Sequence, residues 1–94
     1  MRDGKIQKIK EIILKVAEEM NVEIDKIILF GSRAKGNYTK YSDYDILIVT
    51  KSKLRKEIEK KVESEIRKNF GKLLLPADIF FADKRSFNEY KNIE

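Results

Sequence analysis

The chain has 94 residues, a formal net charge of +5, and neither cysteine nor histidine. This length predicts a single domain over residues 1–94 with one modest hydrophobic core. The missing residue types exclude disulfides and thiolate or imidazole metal ligands, so any metal would be a hard cation held by oxygen, and any general base a carboxylate, tyrosine, lysine or water.

An amphipathic helix is predicted first, over residues 5–20, because its apolar residues recur at helical spacing. These apolar residues are Ile6, Ile9, Ile13, Val16 and Met20. Residues 26–30, KIILF, form a short β-branched run that ends at Gly31 and predicts a buried strand. Residues 44–50, YDILIVT, predict a second strand.

A second amphipathic helix is predicted over residues 53–70, where apolar residues recur every four positions. Ser52 is the candidate N-cap of this helix, and Gly71 is the candidate residue that ends it. Residues 73–82, LLLPADIFFA, predict a third strand, in which Pro76 marks a strand start, an edge or a bulge.

The last eleven residues, KRSFNEYKNIE, predict either a short helix capped by Ser86 or a frayed end. The resulting order is helix, strand, strand, helix, strand, helix. It indicates an α/β (α+β) fold, in which a small mixed β-sheet has its helices packed on one face.

No apolar run approaches the roughly 20 residues of a membrane span, and the N-terminus lacks the apolar segment of a secretion signal. We therefore expect a cytoplasmic protein with no membrane partner. The positive charge would suit nucleic acid, nucleotide phosphate or an acidic partner. Lysines and glutamates alternate along the chain, however, and a solvated surface explains them as well.

Three aspartates in or near the predicted strands could form a metal site. Asp43 and Asp45 are two residues apart, so in a strand they share one face and repel each other unless a divalent cation, lysine or arginine compensates. Asp78 joins them if the third strand pairs beside the second. Three carboxylates with water and phosphate oxygens would suit Mg²⁺ or Mn²⁺. The alternative is ordinary turn chemistry, because aspartate is common where a strand starts.

A Gly-Ser pair at the end of the first predicted strand could bind phosphate. Gly31 lets a phosphate approach the backbone, Ser32 offers a hydroxyl and an N–H, and Arg33 and Lys35 add positive charge. The segment lacks the spacing of a P-loop. The alternative is a simple strand-to-turn connection, where glycine and serine are routine.

Together these segments carry a resemblance to a known family. FGSRAKG, at residues 30–36, is followed by SDYDILIV, and ten residues separate Ser32 from Asp43. This pattern resembles the nucleotidyltransferase superfamily built on the DNA polymerase β-like palm, and is closest to the minimal nucleotidyltransferases. The resemblance extends over residues 27–82, and Asp78 in ADIFF matches the family's third carboxylate.

The resemblance implies roles for the carboxylates. Two Mg²⁺ ions, with Mn²⁺ as an alternative, would sit between the carboxylates and ATP. Asp43 and Asp45 would bind or bridge both ions. Asp78 would hold the catalytic ion and help to deprotonate the attacking hydroxyl. Transfer of this type depends on in-line positioning and charge neutralisation, and needs no histidine.

The resemblance also implies how the nucleotide is bound. Gly31 and Ser32 would hold the β- and γ-phosphates, and Arg33 would steady them. Three tyrosines, Tyr38, Tyr41 and Tyr44, follow closely. They could stack on a base, or they could serve packing.

For a minimal nucleotidyltransferase the resemblance implies an antitoxin paired with a HEPN-domain RNase toxin. The activity expected is transfer of AMP from ATP to a tyrosine of that toxin, within a hetero-oligomer. One alternative is a binding module that neutralises its partner by contact alone. Another is nucleotide addition to RNA or RNA binding, although no RNA-binding module is recognisable and nucleic acid is not expected as a direct substrate.

Overall fold

The computed structural model describes residues 4–30 and 43–91. These residues form α1 (Gly4–Glu19), β1 (Ile24–Phe30), β2 (Tyr44–Thr50), α2 (Lys56–Lys72), β3 (Ala77–Asp83) and α3 (Lys84–Lys91). The predicted α/β class is confirmed. Within the described ranges, no helix is both long enough and apolar enough to cross a membrane.

The sheet is mixed, with β2 between its two neighbours. The hairpin partner β1 runs antiparallel to β2, and Phe30 lies opposite Asp45. The strand β3 runs parallel to β2, because the intervening helix α2 returns the chain to the same edge before β3 begins. The start of β2, the start of β3 and the end of β1 therefore meet at one edge of the sheet.

One face of the sheet, the core face, packs against α1 and α2. Alternate residues of β2 point to this face, as the twofold period of a strand requires. Tyr44 and Ile46 have no exposed surface, and Ile48 has almost none. The same cluster includes buried residues of both helices and of β3: Ile9, Ile13, Val16, Val62, Ile66, Phe70 and Ile79.

The opposite face of the sheet, the outer face, is covered over part of its length by α3. This helix lies against β2 and β3, so the prediction that the helices pack on one face holds for α1 and α2 but not for α3. Its Phe87 ring centre is 4.9 Å from Nζ of Lys26, which pairs with Val49 on β2. Val49 has no exposed surface although it lies outside the core cluster. The other end of the outer face, where the strands β2 and β3 start, carries Phe30 and Phe80, both exposed.

The helix α2 begins and ends later than the sequence pattern predicts. It starts at Lys56 rather than at residue 53, and its N-cap is Arg55, which makes no side-chain capping bond. The prediction of Ser52 as the cap is therefore wrong. Gly71 lies inside the helix and does not end it. The strand β3 begins only after Pro76, so the first four residues predicted for it belong to the turn.

The turn after α2 uses a leucine where a glycine is usual. The N–H of Leu74 donates to the carbonyl of Gly71 (3.1 Å), and the N–H of Leu75 donates to that of Phe70 (3.0 Å). These bonds define a Schellman motif, which needs a left-handed residue just past the helix. Leu74 is that residue, with φ 53°. Asn21 takes the equivalent place after α1, with φ 58°.

The helix α3 is confirmed, but its N-cap is the aspartate that ends β3. The backbone N–H of Ser86 donates to Oδ2 of Asp83 (3.3 Å), and the Ser86 hydroxyl donates to Oδ1 (2.8 Å). Ser86 is therefore in the first turn of the helix. Aspartate is among the preferred N-cap residues because its carboxylate accepts these otherwise unpaired donors.

Candidate functional site

The parallel pairing of β2 and β3 places Asp45 and Asp78 in direct register. Both side chains lie on the outer face, because their neighbours Ile46 and Ile79 point into the core. Strands in a sheet are about 4.8 Å apart, so the two carboxylates are close neighbours. The third strand thus lies beside the second, which is the condition under which Asp78 is expected to join the other aspartates.

Contacts at the starts of the strands fix this register. Tyr44 is fully buried on the core face, and its backbone N–H donates to the carbonyl of Pro76 (2.9 Å). Arg67 of α2 donates from Nη1 to the carbonyl of Ala77 (3.0 Å) and from Nε to Glu63 (2.8 Å). A buried anchor on one face thus holds Asp45 in place on the other.

Asp43 lies just before β2 and is exposed. Among the described residues, no three acidic, histidine or cysteine side chains are grouped so that they could hold a metal ion. The structure therefore brings Asp45 and Asp78 together as a pair, and does not gather Asp43 into a three-carboxylate group with them. The catalytic and metal-binding roles of all three aspartates stay predictions.

The carboxylate pair carries uncompensated charge within the described part of the chain. Every ion pair found there lies elsewhere, for example between Arg67 and Glu63 or between Lys84 and Asp25. Two like charges at this spacing repel each other, and the repulsion is stronger beside apolar groups than in bulk water. A cationic ligand would relieve it.

Two phenylalanine rings border the pair, and sequence reasoning missed both as site residues. Phe30 pairs with Asp45 across β1 and β2, while Phe80 follows Asp78 by two residues on the same face. Their ring centres are 5.8 Å apart, with an angle of 47° between the ring planes. A signal was present in the sequence, because residues two apart in a strand share a face and Phe80 is two after Asp78.

The predicted phosphate-binding residues Gly31, Ser32 and Arg33 lie outside the described residues, as do Tyr38 and Tyr41. Their predicted roles are unchanged. Tyr44 is fully buried in the core cluster. For this tyrosine, packing is therefore confirmed over stacking on a base.

A groove of about 530 Å³ runs along the surface between α1 and α2. Its lining includes Ile12, Asn69 and charged residues of both signs, and none of the three aspartates. It lies in the helical layer, across the core from the outer face. We therefore place the candidate site at the carboxylate pair.

Comparison with known proteins identifies the class. A family model described as the nucleotidyltransferase domain matches residues 8–93, which is nearly the whole chain. The chain belongs to this family of transferases. The match confirms the resemblance carried by the Gly-Ser pair of the sequence and the paired aspartates.

Two curated relatives from Methanocaldococcus jannaschii, each named "putative protein adenylyltransferase", are similar to part of the chain. One is 54% identical over 41 residues, which is 44% of this chain and 41% of the relative. The other is 41% identical over 46 residues, which is 49% of this chain and 46% of the relative. Each match thus spans less than half of the relative.

Proposed function

We propose that the chain is a protein adenylyltransferase, which transfers AMP from ATP to a tyrosine hydroxyl of a partner protein. The observation that carries this proposal is the pair Asp45 and Asp78, held in register on the outer sheet face in a chain of the nucleotidyltransferase family. The names of the two relatives support protein as the acceptor class.

The proposed reaction is one displacement at the α-phosphorus. The tyrosine oxygen forms a bond to this phosphorus while the bond to the α–β bridging oxygen breaks. The bridging oxygen keeps the electron pair and leaves with diphosphate. The phenolic proton passes to a carboxylate, for which we propose Asp78, and then to water. Little acid–base strength is needed, because such transfers depend mainly on positioning and charge stabilisation.

We also propose that the site uses Mg²⁺, with Mn²⁺ as an alternative. Proteins hold Mg²⁺ through one or two carboxylates together with substrate phosphates, and the register pair Asp45 and Asp78 is a donor set of this kind. Asp43, two residues before Asp45, is the proposed third donor. When bound, the metal would neutralise the phosphate charge and the negative charge that develops on the leaving oxygen.

The remaining parts of the proposal follow the family resemblance. Gly31, Ser32 and Arg33 would hold the triphosphate. The partner would be a HEPN-domain RNase toxin, which forms a cytoplasmic hetero-oligomer with this chain and is inactivated when AMP is attached to its tyrosine.

The test is transfer of α-labelled ATP to a candidate HEPN protein by the purified chain, with Mg²⁺. We expect label on the toxin, and a loss of at least about a hundredfold in rate for Asp45→Asn, the size typical when one charge-stabilising group is removed from a transfer site. Asp83→Asn is the matched control, since it lies on β3 away from the pair and asparagine also caps helices.

The outcomes separate the candidate functions. If wild type binds ATP but labels no protein, the chain is not an adenylyltransferase of that toxin. If Asp45→Asn transfers no label yet still neutralises the toxin in full, contact alone is the mechanism. Steep loss of binding to RNA with rising salt would instead favour the nucleic-acid alternative.

A further inference from the structure

The two phenylalanines on the outer face are exposed in a way that packing does not explain. Phe30 is 41% exposed and Phe80 is 49% exposed. At the other end of the same face, Val49 is fully buried where α3 lies against β2 and β3. Aromatic rings gain most from being covered, so a half-exposed pair beside charged groups is a favourable place for a ligand's ring.

The rings hold a defined position relative to the carboxylates. Phe30 is directly opposite Asp45, and Phe80 lies one strand repeat, about 6.6 Å, beyond Asp78 on the same face. Because the two rings contact each other, they extend across β2 from one edge strand to the other. Among the described residues, Asp45 and Asp78 carry their carboxylates on the same face beside these rings, within reach of a molecule that rests on them.

We propose that the Phe30–Phe80 ring pair seats the aromatic ring of the acceptor, so that a hydroxyl attached directly to that ring reaches the carboxylate pair. The inference rests on the proposed function and deepens it, since it makes the site selective for phenolic hydroxyls over the aliphatic hydroxyls of serine and threonine. Phe30 and Phe80 act as positioning residues.

The dimensions of the site favour a phenol over the adenine of ATP. In a phenol the reacting oxygen is bonded to the ring, so a ring seated one strand repeat from Asp78 carries its oxygen to the carboxylates. In ATP the ribose separates the base from the α-phosphorus. Phenylalanine also offers no hydrogen-bonding group with which to read the edge of a base. The aliphatic hydroxyls of serine and threonine are attached to no ring that could cover Phe30 and Phe80.

A binding measurement tests the seat without requiring turnover. The chain has no tryptophan, so Phe80→Trp introduces a single tryptophan at the proposed seat, and its emission can be excited selectively over that of tyrosines. N-acetyl-L-tyrosinamide is titrated in the presence of Mg²⁺ and α,β-methylene-ATP, with N-acetyl-L-serinamide as the matched ligand. We expect a saturable change in emission with the tyrosine compound and none with the serine compound. Phe87→Trp, at the α3-covered end of the face, should respond to neither.

Each result of the titration decides the proposal. A response of Phe80→Trp to the ATP analogue, with no further response to the tyrosine compound, would show that the base occupies the rings and would overturn it. No response to either ligand, or equal responses to the tyrosine and serine compounds, would overturn it as well.

Kinetics give a second, independent test in variants that need no reporter. For Phe80→Ala we expect the KM for N-acetyl-L-tyrosinamide to rise about tenfold, the size expected from loss of one aromatic contact with its buried area, and the KM for ATP to stay unchanged. Phe80→Tyr should recover most of the loss. Circular dichroism confirms that each variant is folded.

The two proposals fail in different ways. If wild type transfers AMP but Phe80→Ala has an unchanged KM for the tyrosine compound, the ring seat is wrong and the proposed function stands. If wild type transfers nothing but Phe80→Trp still reports the tyrosine compound, the proposed function is wrong and the seat remains.

Discussion

The two faces of the sheet differ in what covers them and in which residues they carry. On the core face, Tyr44 and Ile46 are fully buried beneath α1 and α2. On the outer face, the residue between them, Asp45, is partly exposed, and Asp78 lies beside it in register. Strand alternation thus lets one seven-residue segment anchor the fold and present a charged group.

The same contrast holds in β3. Ile79 is 8% exposed and belongs to the core cluster, while its neighbour Phe80 is 49% exposed. An exposed apolar residue next to a buried one indicates that the core face serves packing and the outer face serves another role. Substitutions on the core face should change stability, and those on the outer face should change chemistry.

The largest effect on stability is expected from the core face. Ile46→Ala should lower the free energy of unfolding by about 2–5 kcal/mol, because it opens a cavity in a fully packed cluster. That is a large share of the roughly 5–15 kcal/mol that holds a typical domain folded. Urea unfolding followed by circular dichroism measures the change.

Phe80→Ala is the matched control on the outer face. It removes a larger side chain, yet it should cost only about 1 kcal/mol, since the ring is half in water and contacts the Phe30 ring. Equal losses in the two variants would mean that the faces do not divide stability from function in this way.

Asp45→Asn, on the outer face, should not lower the free energy of unfolding as Ile46→Ala does. It removes one of two like charges in register, so the free energy of unfolding should stay the same or rise by up to about 1 kcal/mol. In the same sample, AMP transfer should be lost. A variant that loses stability as well as activity would indicate that Asp45 has a structural partner. Unfolding and AMP-transfer assays on the same variant distinguish these two outcomes.

The core face could be predicted from the sequence because periodicity reports it directly. The apolar spacing predicts α1 and α2, and the three apolar runs predict the strands, whereas the last segment predicts either a short helix or a frayed end. The pairing of β3 beside β2, which brings Asp78 beside Asp45, is only a condition of the predicted site. Element ends were predicted less well. The start of β3 is fixed by a hydrogen bond from Tyr44 to Pro76, which depends on strands far apart in the chain.

The outer face could be predicted only in part. The motif identifies Asp43 and Asp45, whose spacing is local, and the family resemblance adds Asp78. The contact between Phe30 and Phe80 depends on two pairings at once, antiparallel for β1 and parallel for β3, and no local pattern contains both. Leu74 was missed for a related reason. Glycine is the usual residue just past the end of a helix, so Gly71 is predicted to end α2. The hydrogen bonds after α2 instead place the left-handed residue three positions later, at Leu74.

Leu74→Gly should stabilise the layer that covers the core face. A left-handed conformation costs a non-glycine residue about 1–2 kcal/mol, and the Leu74 side chain is 86% exposed, so little burial is lost. We expect the free energy of unfolding to rise by about 1 kcal/mol. Asn21→Gly, at the same position after α1, should change it by only a few tenths, because asparagine tolerates this conformation. Equal gains in the two variants would contradict the strain at Leu74.

The smallest effect is expected at α3, which covers the far end of the outer face. The Ser86 hydroxyl and backbone N–H donate to Asp83 and hold the pKa of its carboxyl below the ordinary 3.8. Because the folded pKa is lower than the unfolded one, the cap stabilises the helix fully above about pH 3.8 and less as pH falls through the folded pKa. Backbone NMR shifts of α3 should therefore move toward coil values in this acid window. The shifts of α1, which has no acidic residue in its first turn, should stay constant.

Ser86→Ala should raise the pH at which α3 loosens, because it removes the hydroxyl that lowers the pKa of Asp83 most. If α1 and α3 instead lose structure together, the acid transition belongs to the whole fold and not to the Asp83 cap of α3.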